Sequence, residues 1–105
     1  MSELQAISGR IRRALTALYG DRLRGLRLYG STARGEDDLD SDIDILVLLE
    51  GPVNHALEIN RIWEAAYDIQ LDCDRIISLM PADVSSYEKG EWVLYREVMA
   101  EGVSL

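Results

Sequence analysis

The sequence predicts an α/β fold, a small mixed sheet of about three to four strands covered by helices. Three observations carry this expectation. Two stretches, residues 2–19 and 55–67, space their apolar residues at the helical period. Between them Ile43 to Leu49 is an unbroken apolar run closed by Gly51-Pro52, the pattern of a central strand covered on both faces. The elements then read helix, strand, turn, strand, helix, strand, helix, helix, and such alternation favours helices layered on a sheet. With 105 residues, 48% hydrophobic and 29% charged, the chain suits one domain, residues 1–105, with a modest core burying a little over ~60% of the unfolded surface.

The first helix places Leu4, Ile7, Ile11, Leu15 and Leu18 on one stripe, with Ser2 and Gln5 as a capping box and Gly20 as the stop. Arg10, Arg12 and Arg13 fall on its outer side, as a solvated basic face or as a docking face for an acidic partner. Leu23 to Tyr29 alternates loosely and is cut off by Gly30-Ser31, which predicts a strand and then a turn. Residues 32–41 lack an apolar period and are rich in carboxylates and hydroxyls, so they predict a surface loop with at most one helical turn starting at Ser31. A strand then covers Ile43 to Leu49. Residues 55–67 predict a helix through Ile59, Ile62, Trp63 and Ala66, capped by Asn54. Ile69 to Leu79 predicts a third strand, with Asp72 and Asp74 on one face and Cys73 and Arg75 on the other. Pro81 is expected to open a short helix toward Tyr87, and Glu91 to Ala100 to form a last helix ending at Gly102.

Net charge is -8 and unevenly placed: residues 1–34 sum to +5 and residues 35–105 to -13. An acidic chain with one lysine is ill suited to binding nucleic acid through its phosphates. A single nucleotide that brings its own divalent cations is compatible with it. One cysteine, Cys73, and no long apolar span or leader pattern point to a cytoplasmic, reducing setting and away from a membrane.

The chemistry concentrates in residues 28–49. Asp42 and Asp44, two apart on a strand, share a face, and hard cations such as Mg2+ are held by one or two carboxylates together with substrate phosphates. A third acid from the next strand would complete a two-metal site for in-line displacement at phosphorus. Asp74 and Asp72 are the candidates, and strand parity does not separate them. Gly30 lets the backbone approach a ligand closely, and Ser31 offers a hydroxyl and an amide where a helix begins, a setting that favours phosphate. Arg34 is within reach of the same ligand and its fork suits phosphate oxygens, although it equally balances Glu36 to Asp38. Elsewhere, His55 reads as a surface or capping residue and Cys73 as a small apolar one. Trp63, Tyr67, Trp92 and Tyr95 suit either core packing or an exposed patch.

Gly30-Ser31, ten residues, then Asp42-Ile43-Asp44 resembles the signature of the polymerase-beta-type nucleotidyltransferase superfamily. Gly30 to Gly35 followed by Ser41 to Val47 is similar to its minimal nucleotidyltransferase (MNT) subfamily, whose members are stand-alone domains of about this size. The resemblance implies a nucleotidyltransferase-like fold. It implies that Ser31 helps hold a nucleoside triphosphate, that Asp42, Asp44 and an acid such as Asp74 bind two Mg2+ ions, and that ATP is the substrate. It also implies a partner: minimal domains of this kind pair with HEPN-family toxins as antitoxins, some by transferring AMP to a toxin tyrosine. Assembly would then be a homo-oligomer or a hetero-oligomer with the toxin. The rival expectation is a catalytically silent antitoxin that neutralises its toxin by covering it.

Overall fold

The computed structural model describes residues 2–36 and 40–105. Helix α1 spans Glu3–Tyr19 and is closed at its start by the expected capping box. Ser2 Oγ accepts from the Gln5 amide at 3.1 Å, and Gln5 Oε1 accepts from the Ser2 amide at 3.0 Å. A single 3-10 turn, Gly20–Arg22, leads into β1, Leu23–Tyr29. A five-residue helix, α2 (Gly30–Arg34), follows, and then β2 (Ile43–Leu49), α3 (His55–Leu71), β3 (Ile77–Asp83), α4 (Val84–Glu88), α5 (Val93–Glu101) and the two-residue β4 (Val103–Ser104). The sheet order is β3-β2-β1-β4. β1 is antiparallel to both β2 and β4, and β2 is parallel to β3. The sheet is thus mixed and four-stranded, with β2 inside it as its apolar run requires.

Strand alternation sorts the core into two layers. Ile43, Ile45, Val47 and Leu49 of β2 join Leu26, Leu28, Ile77 and Leu79 under α1 and α3, which contribute Ile7, Ile11, Leu15, Ile62, Ala66 and Ile69. Leu46 and Leu48 face the other way, onto Ala82, Tyr87, Tyr95 and Val98 of β3, α4 and α5. Leu18, placed on the apolar stripe of α1 by its spacing, is 39% exposed; its neighbour Tyr19 packs against the core.

The sheet departs from expectation between residues 68 and 83. Ile69 to Leu79 does not form a strand. α3 runs on to Leu71, because Ile62, Ala66 and Ile69 continue the helical step and bury the same face, and β3 begins only at Ile77. The bend is closed by the Gln70 side chain. Its amide nitrogen donates to the Arg75 carbonyl at 2.9 Å, and its oxygen accepts from the Ile77 amide at 2.8 Å. Pro81 lies within β3 instead of opening a helix. β3 is an edge strand, where a missing N–H on the outer side is tolerated. The helix start falls instead to Asp83, whose carboxylate accepts from the Ser85 amide at 2.9 Å.

A buried carboxylate ties α1, the 3-10 turn and α3 together. Glu58, 2% exposed, accepts from Tyr19 Oη at 2.9 Å and Arg22 Nη1 at 2.6 Å, with Arg61 at 3.4 Å. Among the described residues no helix is long and apolar enough to cross a membrane.

Candidate active site

β1 delivers the chain to Gly30 at the end of the sheet where β2 begins, and Tyr29 is the cross-strand partner of Asp44. Gly30 sits at φ 76°, and a Cβ placed there would lie 2.6 Å from Asp44 Oδ2. Both the left-handed backbone and the close approach therefore demand glycine. Gly35, at φ 73°, ends α2 in the left-handed region as a helix stop usually does. The turn thus lies close against the Asp44 carboxylate.

Asp42 is exposed just ahead of β2, and Asp44 is half-buried one pleat further in. Partial burial, with the nearby charge of Asp42 in support, raises the Asp44 pKa above the ordinary carboxylate range. Asp44 also combines with burial to raise the Tyr29 pKa. Two carboxylates whose charges oppose each other, beside a turn with no side chain, form an environment that a divalent cation would relieve. The donor set fits Mg2+ held by two carboxylates and completed by phosphate oxygens. Among the described residues no group of three or more His, Cys, Asp or Glu side chains is arranged to hold a metal ion.

The other expected site residues separate. Asp72 is the C-cap of α3 and pairs with Arg10 of α1 at 3.0 Å, so it belongs to the helix layer. Asp74 lies exposed in the bend between α3 and β3. Neither is brought onto the strand beside Asp44; the residue opposite Asp44 in the parallel ladder is Ser78. Ser31 is half-buried in the first turn of α2, and its carbonyl accepts from the Glu36 amide at 3.0 Å. Arg34 is paired with Glu36 at 3.2 Å and with Glu101 of α5 at 3.5 Å. The acids at 37 and 38, read as part of the surface loop, lie outside the described residues.

Arg75 is a site residue that sequence reading placed elsewhere. Its Nε donates to the Ser41 carbonyl at 2.8 Å and its Nη2 to Thr32 Oγ1 at 3.0 Å. Thr32 Oγ1 in turn donates to the Asp42 carbonyl at 3.1 Å. One side chain thereby holds α2 against the start of β2 and fixes the Gly30 turn relative to the carboxylates. Sequence carries no sign of a contact between residues 43 positions apart.

Beside Gly30 a cavity of about 230 Å³ opens between β1, α2 and α5. Tyr29, Leu94 and Val98 line its apolar side, and Glu97, Glu101 and Arg34 its polar side. Away from the site, His55 stacks on Trp92, with ring centroids 5.4 Å apart. Cys73 is packed partly against the core. Tyr95 is buried, whereas Trp63 and Tyr67 are exposed on α3.

Comparison with known proteins gives the family. The nucleotidyltransferase domain model matches residues 9–103. A provisionally named protein adenylyltransferase of Methanocaldococcus jannaschii is 26% identical over 102 residues, covering 97% of this chain and 96% of its own. Among solved structures, a toxin-antitoxin complex with AMP-PNP superposes with a TM-score of 0.64 at 25% identity, over 91% of this chain and 69% of that one. A mutant of the MntA-HpeT toxin-antitoxin pair gives 0.62 at 25% identity, over 93% and 70%. A structure provisionally described as a minimal nucleotidyltransferase gives 0.59 at 25% identity, over 99% and 97%. A Gly-Ser turn set against Asp44 of β2, on a sheet shared with these proteins and within a span matched almost end to end, places the chain in the nucleotidyltransferase domain family.

Proposed function

We propose that this chain acts as a single minimal domain that transfers AMP from ATP to a hydroxyl of a partner protein, a tyrosine of a HEPN-family toxin, and thereby serves as its antitoxin. The observation that carries the reading is the close approach of Gly30 to Asp44, where an added Cβ would lie 2.6 Å from Asp44 Oδ2. The Gly30-Ser31 turn and Arg34 hold phosphates, with Arg34 exchanging its exposed glutamate partners for phosphate oxygens. Asp42 and Asp44 hold Mg2+. Two such ions held there would supply neutralisation of the charge that develops on the phosphoryl oxygens. The acceptor oxygen forms a bond to the α-phosphorus, the bond from that phosphorus to the bridging oxygen breaks, pyrophosphate leaves, and the hydroxyl proton passes to a nearby base or to water. The likeness to toxin-antitoxin structures and to a protein adenylyltransferase supports a protein acceptor. Asp72 and Asp74 are left out of the assignment because of where they lie. In the test, wild-type protein with Mg2+ and α-labelled ATP labels its co-purified partner, and the double variant Asp42→Asn, Asp44→Asn does not. Equal labelling by both would rule the site out.

A second reading is favoured by Ser78, which stands where a third carboxylate would face Asp44. In it the chain neutralises the toxin by covering it, and the nucleotide site is silent. Under this reading the same double variant still rescues growth when co-expressed with the toxin.

A further inference from the structure

We infer that the β3 flank of the molecule, formed by the outer ridge of α3 and by Ile76 at the start of β3, is the docking surface for the acceptor protein. The inference rests on transfer to a partner protein at Asp42 and Asp44. Its first ground is what the flank leaves uncovered. Trp63, Tyr67 and Leu71 follow one another at steps of four along α3 and so form one ridge. Together with Ile76 they are 41–65% exposed. Large apolar side chains grouped in this way mark a surface that a partner covers.

Placement says which partner. Trp63 stands about two helical turns before Gln70, whose side chain bonds the Arg75 carbonyl and the Ile77 amide at the start of β3. The ridge therefore lies toward the β3 side of α3, whereas Asp72, paired with Arg10, marks the α1 side. Because β3 is an edge strand, ridge and strand share the open side of the sheet. The flank ends at the carboxylates. Ile77 pairs with Ile43 in the parallel ladder, and the Ile76 carbonyl accepts from the Ile43 amide at 2.8 Å, which sets Ile76 beside the residue that follows Asp42.

The reaction asks for the acceptor on this side. The Gly30 turn lies on the β1 side of Asp44 and β3 on the other. With phosphates at the turn, an acceptor oxygen attacking in line enters opposite the leaving pyrophosphate, from β3. Charge agrees, since Asp74 is exposed between the ridge and Ile76 and residues 35–105 sum to -13. The occupant is therefore a protein segment that carries the acceptor hydroxyl beside an apolar side chain and a surplus of positive charge.

The experiment takes the full chain and the HEPN-family toxin, purified separately, and measures complex formation by calorimetry and AMP transfer from α-labelled ATP in Mg2+. The double variant Trp63→Glu, Tyr67→Glu is expected to weaken the complex by at least about tenfold, and Ile76→Ser by about three- to tenfold, with transfer falling in step. AMP-PNP binding by both variants, and complex formation by Arg13→Glu on the outer side of α1, stay within about twofold of wild type. A complex and transfer unchanged in the α3 and Ile76 variants overturn the inference, as does a loss in Arg13→Glu instead. So does loss of AMP-PNP binding along with transfer, which would act through the nucleotide site. A wild type that self-associates through the ridge, and a double variant that dissociates yet still transfers, would make a second copy the occupant and overturn it too. A complex that wild type forms and the double variant loses, with no AMP transferred by either, refutes the transfer reading and leaves the docking surface standing.

Discussion

Asp44 is the residue at which folding and the proposed chemistry pull apart. Its charge is held partly out of water and beside Asp42, so the folded chain favours the protonated form more than the unfolded chain does. A carboxyl raised in this way contributes stability that is full below its unfolded value and is lost as pH rises through its folded value. Asp44→Asn, neutral at every pH, should therefore raise the thermal midpoint near pH 7.5 in EDTA by about 3 °C, the shift of roughly half a kcal/mol in a domain this size. The difference should close as pH falls toward the ordinary carboxylate range, and transfer activity should be absent throughout. A variant no more stable than wild type at pH 7.5 would show that burial does not oppose this charge. The close approach of Gly30 to Asp44 depends on backbone freedom at a turn, which sequence displays. The role of Arg75 is not displayed, because its partners, Thr32 and Ser41, become neighbours only when β2 and β3 pair.

At the scale of elements, α3 carries the tie that locks the helix layer to the start of the sheet. Burial alone would push the Glu58 pKa upward, but hydrogen bonds from Arg22 and Tyr19 and the charges of Arg22 and Arg61 leave it below the ordinary value. A carboxyl lowered in this way contributes stability that is present above its unfolded pKa and lost as pH falls through its folded one. Glu58→Gln should cost about 2 kcal/mol at pH 7 in urea denaturation, less than a fully enclosed pair because Arg22 retains access to water. The cost should shrink below about pH 4, near the ordinary glutamate value; a pH-independent difference would mean that packing and not charge is lost. The same helix marks the limit of pattern reading. Ile69 fits both the alternating pattern read over residues 69–79 and the helical step of Ile62 and Ala66. The choice fell to burial of Ile69 under the sheet and to Gln70 bridging the bend.

At the scale of the whole molecule, residues 103–105 cover the β1 side of the sheet. β4 pairs Ser104 with Arg27 and Val103 with Leu28, the Leu105 amide donates to the Leu26 carbonyl at 3.1 Å, and Arg12 of α1 donates to the Leu105 carbonyl. Deleting residues 103–105 uncovers β1 as an open edge. The expected result is a loss of about 1–2 kcal/mol in urea denaturation, together with concentration-dependent association on size-exclusion chromatography. A monodisperse variant of unchanged stability would show that β4 protects nothing. Two residues of strand carry no pattern of their own, so this element was invisible in the sequence. By itself the sequence determined the α/β class, the capped first helix and strands β1 and β2, because each rests on local periodicity or backbone preference. The tertiary structure alone decided where β3 begins, that Ser78 and not a carboxylate stands opposite Asp44, and that Arg75 braces the turn. These depend on pairing register and packing between distant segments, which no local pattern encodes.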